Sequence, residues 1–178
     1  MLLVLTVLTG MIYPLAVTGI SQVMFHHQAN WSPIVKDGNV VGSQLIGQYF
    51  DDPKYFWGRP SATSPAYNAS ASVGSDLGPT NKALIEAVQS RVKTLRDADP
   101  NNTSPIPADL VTASASGLDP HISQESAKYQ IPRIARVRGL PEEKLLQLVH
   151  ASTESRLWGI FGQPRVNVLK LNLRLDAI

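Results

Sequence analysis

The sequence predicts an α+β protein, in which a single N-terminal transmembrane helix precedes a small extracytoplasmic α+β domain. The first 25 residues carry no acidic or basic side chain and are mostly apolar. Later segments repeat apolar residues every three or four positions, which is typical of helices, and the C-terminal segment alternates apolar and polar residues as a strand does. We therefore interpret residues 1–25 as an uncleaved membrane anchor and residues 26–178 as the extracytoplasmic domain.

Composition argues against several classes of function. The 16 basic and 14 acidic residues give a formal net charge of +2, and all of them lie beyond residue 25. So small an excess predicts neither a nucleic-acid-binding surface nor a polybasic membrane patch. The chain contains no cysteine, which removes disulfides, thiolate metal sites and a cysteine nucleophile.

The apolar N-terminal segment fits a membrane anchor better than a cleaved signal. As a helix, 25 residues reach roughly 37 Å, enough to cross a hydrocarbon core of about 30 Å with some tilt. The segment lacks a basic start, and its apolar run is too long for a secretory signal. Gly10 and Gly19 would let another helix approach closely, although they lack GxxxG spacing. The charge-poor segment that follows favours a domain facing the outside.

The apolar spacing then predicts three helices. The first begins at Thr80 or Asn81, as a cap, and ends before Pro100. The second begins at Ser123 and runs to about Arg138, with a kink or restart at Pro132 because proline removes a backbone donor. The third begins at Pro141, which is favoured in a first helical turn.

Two strands are predicted, one near the middle of the chain and one at its end. Asp109–Thr112 has the β-branched and apolar residues of a short strand. It leads into a tight turn of small residues, where Gly117 can adopt a positive φ. The leucines of the C-terminus predict the clearest strand, with one buried face; they are Leu169, Leu171, Leu173 and Leu175.

The turn after Asp109–Thr112 contains the residue types of a serine hydrolase. Ser114 or Ser116, with Asp119 and His121 close by, is the sharpest such set, but neither serine has the flanking glycines of the G-x-S-x-G nucleophile elbow. Asp119 and His121, two positions apart on a turn, are awkwardly spaced for a catalytic relay. These side chains also provide too few ligands for a metal site. The residues alone therefore favour a binding or accessory subunit over an enzyme, with a periplasmic hydrolase as the alternative.

Several sequence blocks resemble one family throughout the chain. They are the YPLAVTGISQ span, GSQLIGQ, FWGRPSAT, LGPTN, TASASGLDPHIS, QIPRIARVRGL and GQPRVNVLKLNLRLD. In this order they resemble the C subunit of the Kdp complex, the bacterial ATP-driven potassium importer. The resemblance implies a single-pass inner-membrane subunit that supports assembly of a high-affinity potassium importer. It implies three partners: a channel-like subunit that selects potassium, a P-type ATPase subunit and a very small membrane subunit.

The same resemblance implies roles for individual residues. It implies no firmly bound cofactor, and ATP would be reached through the ATPase subunit. In one proposal the C subunit acts as a catalytic chaperone that raises the ATP affinity of that subunit; Gln130 would then be the nucleotide-binding candidate. The turn of small residues within the TASASGLDPHIS block becomes the first candidate for partner contact, together with the two glycines of the span. These contact candidates are Ser114, Ser116, Gly117, Leu118, Asp119, Pro120, Gly10 and Gly19.

Overall fold

The computed structural model describes all of Met1–Ile178. The chain forms two compact units, Met1–Leu45 and Ile46–Ile178. The first unit contains the predicted membrane helix and a β-hairpin, and the second contains the α+β domain. The two units are described separately below.

The N-terminal unit begins with a continuous apolar helix, Leu2–Met24. It consists of α1 (Leu2–Val7), a π-helical stretch (Leu8–Ile12) and α2 (Tyr13–Met24). The wider π turn ends two residues before Pro14, whose ring would clash with the carbonyl of residue 10 in a regular α-helix. None of its apolar side chains is buried, and it is the one helix long and apolar enough to cross a membrane.

A short helix, α3 (His26–Ala29), and a hairpin complete this unit. Strand β1 (Pro33–Lys36) pairs antiparallel with β2 (Asn39–Ser43). Asp37 and Gly38 join them, with φ values of 51° and 78°. Two positive φ values in a two-residue loop match the twist of paired strands, and Asp-Gly is a favoured sequence for this turn.

The second unit begins with a long segment, residues 46–81, that contains no helix or strand. The following elements are α4 (Lys82–Ala98), a 3₁₀ turn (Ala108–Leu110), β3 (His121–Ile122), α5 (Gln124–Arg138), α6 (Glu142–Ser152), β4 (Thr153–Glu154), β5 (Arg165–Asn167) and α7 (Val168–Leu175). The three strands form a small antiparallel sheet in the order β3-β5-β4. The α+β class is thus confirmed.

The predicted helix ends are confirmed where the sequence contains a capping residue. The side chain of Asn81 accepts a hydrogen bond from the Ala83 backbone N–H, and that of Ser123 accepts one from Ser126. These bonds satisfy amides that lack a partner in the first helical turn. Gly139 ends α5 in the left-handed conformation. Of the kink or restart predicted at Pro132, the restart was wrong, because α5 continues through this residue as one helix; the kink stays a prediction.

Both strand predictions were wrong. The Asp109–Thr112 segment forms the 3₁₀ turn and the bend that follows it. The C-terminal leucines lie on helix α7, whose first turn is capped by the Asn167 side chain. The buried positions of α7 include Val168, Leu171, Asn172 and Leu175. This spacing of three, four and seven residues is the helical one, and it turns Asn172 inward.

Helix α5 lies between two apolar clusters. Its Ile131 and Ile134 belong to the main core, together with Leu145 of α6 and Leu171 of α7. Its Tyr129 belongs to a second cluster that joins α4 to the 3₁₀ turn. The long segment 46–81 contributes Phe56, which is fully buried in the main core.

We expect Leu171→Ala to lower the free energy of unfolding by about 2–5 kcal/mol, because it leaves a cavity in the core. Leu173→Ala should cost clearly less, since Leu173 lies on a less buried face of α7. Urea unfolding of the full chain in detergent measures both. Equal losses would contradict the helix, because a strand places both leucines on one buried face.

Candidate functional site

Two side-chain amides hold the backbone of Phe56 and Trp57. Asn172 of α7 accepts from the Phe56 N–H and donates to the Phe56 carbonyl, each at 2.9 Å. Gln130 of α5 does the same for Trp57, at 2.8 and 3.1 Å. We call Gln130 and Asn172 the amide clamp. It satisfies the polar groups of an irregular backbone segment that enters the core, which would otherwise be costly to bury.

Arg133 reinforces the clamp from the next turn of α5. Its guanidinium donates to the Tyr55 carbonyl at 3.0 Å, to Gln130 Oε1 at 2.7 Å and to the carbonyl of Pro53. It also lies 4.2 Å from the centre of the Trp57 ring, a cation–π contact. Burial lowers the pKa of Arg133 to about 10, so the side chain remains charged at neutral pH.

The nucleotide-binding candidate Gln130 is therefore occupied within the fold. Its side chain is 1% exposed. The oxygen accepts two hydrogen bonds and the nitrogen donates two, the second to the Ser126 carbonyl at 3.2 Å. These four bonds use the full capacity of an amide group. Nucleotide contact stays a prediction, and it would require a nucleotide to displace the backbone of Trp57.

The signature turn, Ala113–Pro120, packs against the long segment 46–81. The Ser61 hydroxyl donates to the Gly117 carbonyl at 2.6 Å, and the Val73 N–H donates to the Ser116 carbonyl at 3.1 Å. Gly117 has a φ of 67°, and a Cβ there would lie 2.7 Å from the Val73 carbonyl oxygen. Glycine is thus required both by conformation and by the close approach of another backbone.

The predicted partner contacts in this turn are largely committed to the domain itself. Ser114, Gly117 and Pro120 are buried. Ser116, Leu118 and Asp119 are partly exposed, and the one fully exposed side chain in the turn is that of Ala115. Partner contact by this turn stays a prediction. So does contact by Gly10 and Gly19, which lie on the apolar helix with no atom within 4 Å of a Cβ position.

Asp119 connects the turn to a network of charges. It accepts from the Arg59 guanidinium and from the His121 N–H, each at 3.0 Å. Burial alone would raise the pKa of Asp119, but hydrogen bonds from His121 and Arg59 outweigh this effect and hold the pKa below its usual value. In the ring of His121, Nδ1 lies 3.4 Å from Asp119 and Nε2 lies 3.7 Å from Glu154. Glu154 in turn pairs with cations of β5 and α7.

This arrangement does not support the hydrolase alternative. Both ring nitrogens of His121 face carboxylates, those of Asp119 and Glu154. The Ser116 hydroxyl instead accepts from the Leu118 N–H at 3.2 Å and forms no bond with His121. No group of three or more histidine, aspartate or glutamate side chains is placed to hold a metal ion.

A groove of about 350 Å³ lies between the long segment 46–81, which contributes Trp57, and helix α4. Two arginines from distant parts of the chain, Arg59 and Arg91, face it with aromatic and apolar residues. Arg59 is paired with Asp119, and Arg91 donates to the Val111 carbonyl at 2.8 Å. Both guanidinium groups therefore act within the fold: Arg59 joins the long segment to the signature turn, and Arg91 joins α4 to the residue that follows the 3₁₀ turn.

Comparison with known proteins decides what the chain is. The model of the KdpC family, described as the c chain of K⁺-transporting ATPase, matches residues 1–177. The chain belongs to the KdpC family. The potassium-transporting ATPase KdpC subunit of Methylococcus capsulatus is 62% identical over 179 residues, covering 100% of this chain and 94% of that protein. The KdpC subunits of Dechloromonas aromatica and Herpetosiphon aurantiacus are 62% and 58% identical, covering 98% and 99% of this chain and 92% of each relative.

Membership of the KdpC family confirms the resemblance found in the sequence. The blocks that carry it form the internal contacts of the domain. FWGRPSAT contains the clamped backbone and Arg59, QIPRIARVRGL contains Gln130 and Arg133, and LKLNLRLD contains Asn172. Sequence analysis missed Arg133 and Asn172. A polar residue at a core position of a helical stripe was the available signal for Asn172, but the strand prediction concealed it.

We expect Gln130→Met to lower the free energy of unfolding by about 2–5 kcal/mol, since it leaves buried polar groups of Trp57 without partners. Methionine keeps the length of the side chain, so lost hydrogen bonds dominate the effect. Gln89→Met on the exposed face of α4 is the control and should change stability by less than about 0.5 kcal/mol. Urea unfolding of the full chain, followed by tryptophan fluorescence, measures both. Similar values for the two variants would show that the clamp contributes nothing.

We expect Tyr67 to make stability decline at alkaline pH. Its hydroxyl donates to the Arg59 carbonyl at 2.6 Å. Burial, followed by the charge of Asp119, raises its pKa from 10.0 to about 12. The folded state thus retains the proton more tightly than the unfolded state. This contribution is full below pH 10 and is lost as the pH rises from 10 through about 12.

Tyr67→Phe has no phenolic proton, so its unfolding free energy should fall less over this alkaline range than that of the unaltered chain. Urea unfolding at a series of pH values gives the two slopes. Parallel slopes would contradict the assignment.

Proposed function

We propose that this c chain of a K⁺-transporting ATPase is an accessory subunit, which supports assembly and high-affinity potassium import without hydrolysing ATP itself. The family match over residues 1–177 carries the proposal. The internal chemistry of the domain agrees with it. The polar side chains of the clamp and the signature turn bond mainly to backbone groups, as expected of a rigid interaction module.

The proposed partners are a channel-like subunit that selects potassium, a P-type ATPase subunit and a very small membrane subunit. ATP would be bound by the ATPase subunit. The sequence of this chain contains neither a P-loop nor the DKTG motif that P-type ATPases phosphorylate. A catalytic-chaperone role through Gln130 would require the clamp to open, so we propose that any effect on ATP affinity is transmitted through subunit contact.

We further propose that the Leu2–Met24 helix crosses the inner membrane and that residues 26–178 face the outside. The helix has the length and apolar character for this role. The absence of cysteine is compatible with an oxidising compartment. A domain on this side could lie over the entrance of the channel-like subunit, where it would influence the capture of potassium and could not reach cytoplasmic ATP directly.

Co-expression of the chain with its partner subunits tests this function. We expect deletion of Ile46–Ile178 to weaken complex assembly or to lower the apparent potassium affinity of the ATPase activity. Pull-down with mass spectrometry and potassium titration of ATP hydrolysis are the measurements. Unchanged assembly and affinity would overturn the accessory role.

Cysteine labelling of the full chain, expressed with its partner subunits, tests on which side of the membrane the domain lies. Thr103→Cys introduces the one cysteine of the chain at an exposed loop position. A membrane-impermeant maleimide should label it in spheroplasts without lysis. Labelling only after lysis would place the domain in the cytoplasm. The unaltered, cysteine-free chain is the control.

A further inference from the structure

The loop between β4 and β5 exposes a contiguous set of large apolar side chains. Leu157, Trp158, Ile160 and Phe161 are 62%, 81%, 73% and 60% exposed. None of them belongs to either apolar cluster of the domain. Isolated apolar residues are common on protein surfaces, but a contiguous patch of this kind marks an interaction site. We call residues 156–162 the apolar loop.

The backbone holds the apolar loop in a defined shape. Leu157 and Phe161 form an antiparallel bridge, with N–H to carbonyl distances of 2.9 and 3.0 Å in the two directions. Between them, Trp158 and Gly159 have φ values of 52° and 76°. A positive φ is unfavourable for a bulky residue such as tryptophan. Placing Trp158 at the tip of this turn therefore costs some backbone conformational energy.

Side-chain packing adds to this order. The rings of Trp158 and Phe161 meet edge to face, with centres 6.2 Å apart and planes at 75°. A preformed aromatic tip loses little conformational entropy on binding, which favours recognition by a shaped protein pocket. Tryptophan is also among the residues most enriched at the energetic centres of protein interfaces.

Local charge argues against recognition of an anionic lipid surface. Residues 155–163 contain one ionisable side chain, that of Arg156, and it forms no ion pair in the structure. The nearest other cations, Arg165 and Lys170, are paired with Glu154 at 3.3 and 3.2 Å. Recognition of anionic lipid by charge requires clusters of several unpaired basic residues. One free arginine beside an apolar tip instead complements an apolar pocket with an acidic rim.

We propose that the apolar loop is a docking element, and that Trp158 enters an apolar pocket with an acidic rim on another subunit of the K⁺-transporting ATPase. This inference rests on the proposed function, because it requires the chain to assemble with partner subunits. It assigns the main contact to the β4–β5 loop, whereas the signature turn is mostly engaged inside the domain.

A photo-crosslinker at the tip tests the proposal in the assembled complex. p-Benzoylphenylalanine replaces Trp158 in the full chain, and the same residue replaces Thr103 as an exposed control. After irradiation in membranes, we expect a crosslink from position 158 to one partner subunit, at least about tenfold more abundant than that from position 103. Mass spectrometry identifies the adduct. A phospholipid adduct would overturn the proposal in favour of membrane contact, and the absence of any specific adduct would overturn it outright.

A second pair of variants measures the contribution of the tip. Trp158→Glu places a charge in an apolar pocket next to an acidic rim, and we expect at least a tenfold loss of partner subunits retained after washing, as for a hot-spot residue. Trp158→Phe should retain most of them. Thermal unfolding of the free chain should change little, since Trp158 is outside the core. Retention unaffected by the Glu variant would overturn the proposal.

The two proposals fail in different ways. If the unaltered chain retains no partner subunit, the proposed function fails. If it retains its partners while position 158 yields no partner crosslink, only the docking role of the apolar loop fails.

Discussion

The amide clamp is the interaction on which the domain depends. The segment 46–81 has no helix or strand, yet its residue Phe56 is fully buried in the main core of the domain. A backbone without regular structure can enter an apolar interior only if its polar groups find partners there. Gln130 and Asn172 supply those partners from two different helices. The clamp therefore joins α5, α7 and the long segment into one packed unit.

The signature turn extends this organisation to later residues of the long segment, from Arg59 to Val73. Gly117 permits the close approach of Val73 and Thr63, and Arg59 connects the same segment to Asp119. The blocks that identify the family thus have internal structural roles. The apolar loop has the opposite character, because it contributes little to the core and displays its largest side chains. This contrast is the reason we assign stability to the first region and docking to the second.

Predictions from sequence succeeded where a local interaction decides the structure. Asn81 and Ser123 cap helices through their own side chains, and Gly139 ends one through its own backbone freedom. The Asp37-Gly38 hairpin has an equally local signal in its Asp-Gly dipeptide. The candidate site was predicted only as a region: the turn was located, whereas Arg133 and Asn172 were missed. Their partners lie 80 and 116 residues away, and the strand prediction concealed the helical position of Asn172.

The sequence by itself determined the apolar helix, the positions of α4, α5 and α6, and the family to which the chain belongs. Each follows from composition, short-range periodicity or block order. Only the tertiary structure decided whether the C-terminus is a strand or a helix. Its leucines alternate with polar residues as in a strand with one buried face, and residues 168, 171, 172 and 175 have the spacing of one helical face. The helix prevails because it turns Asn172 toward Phe56, whose buried N–H and carbonyl require a partner that no local pattern reveals.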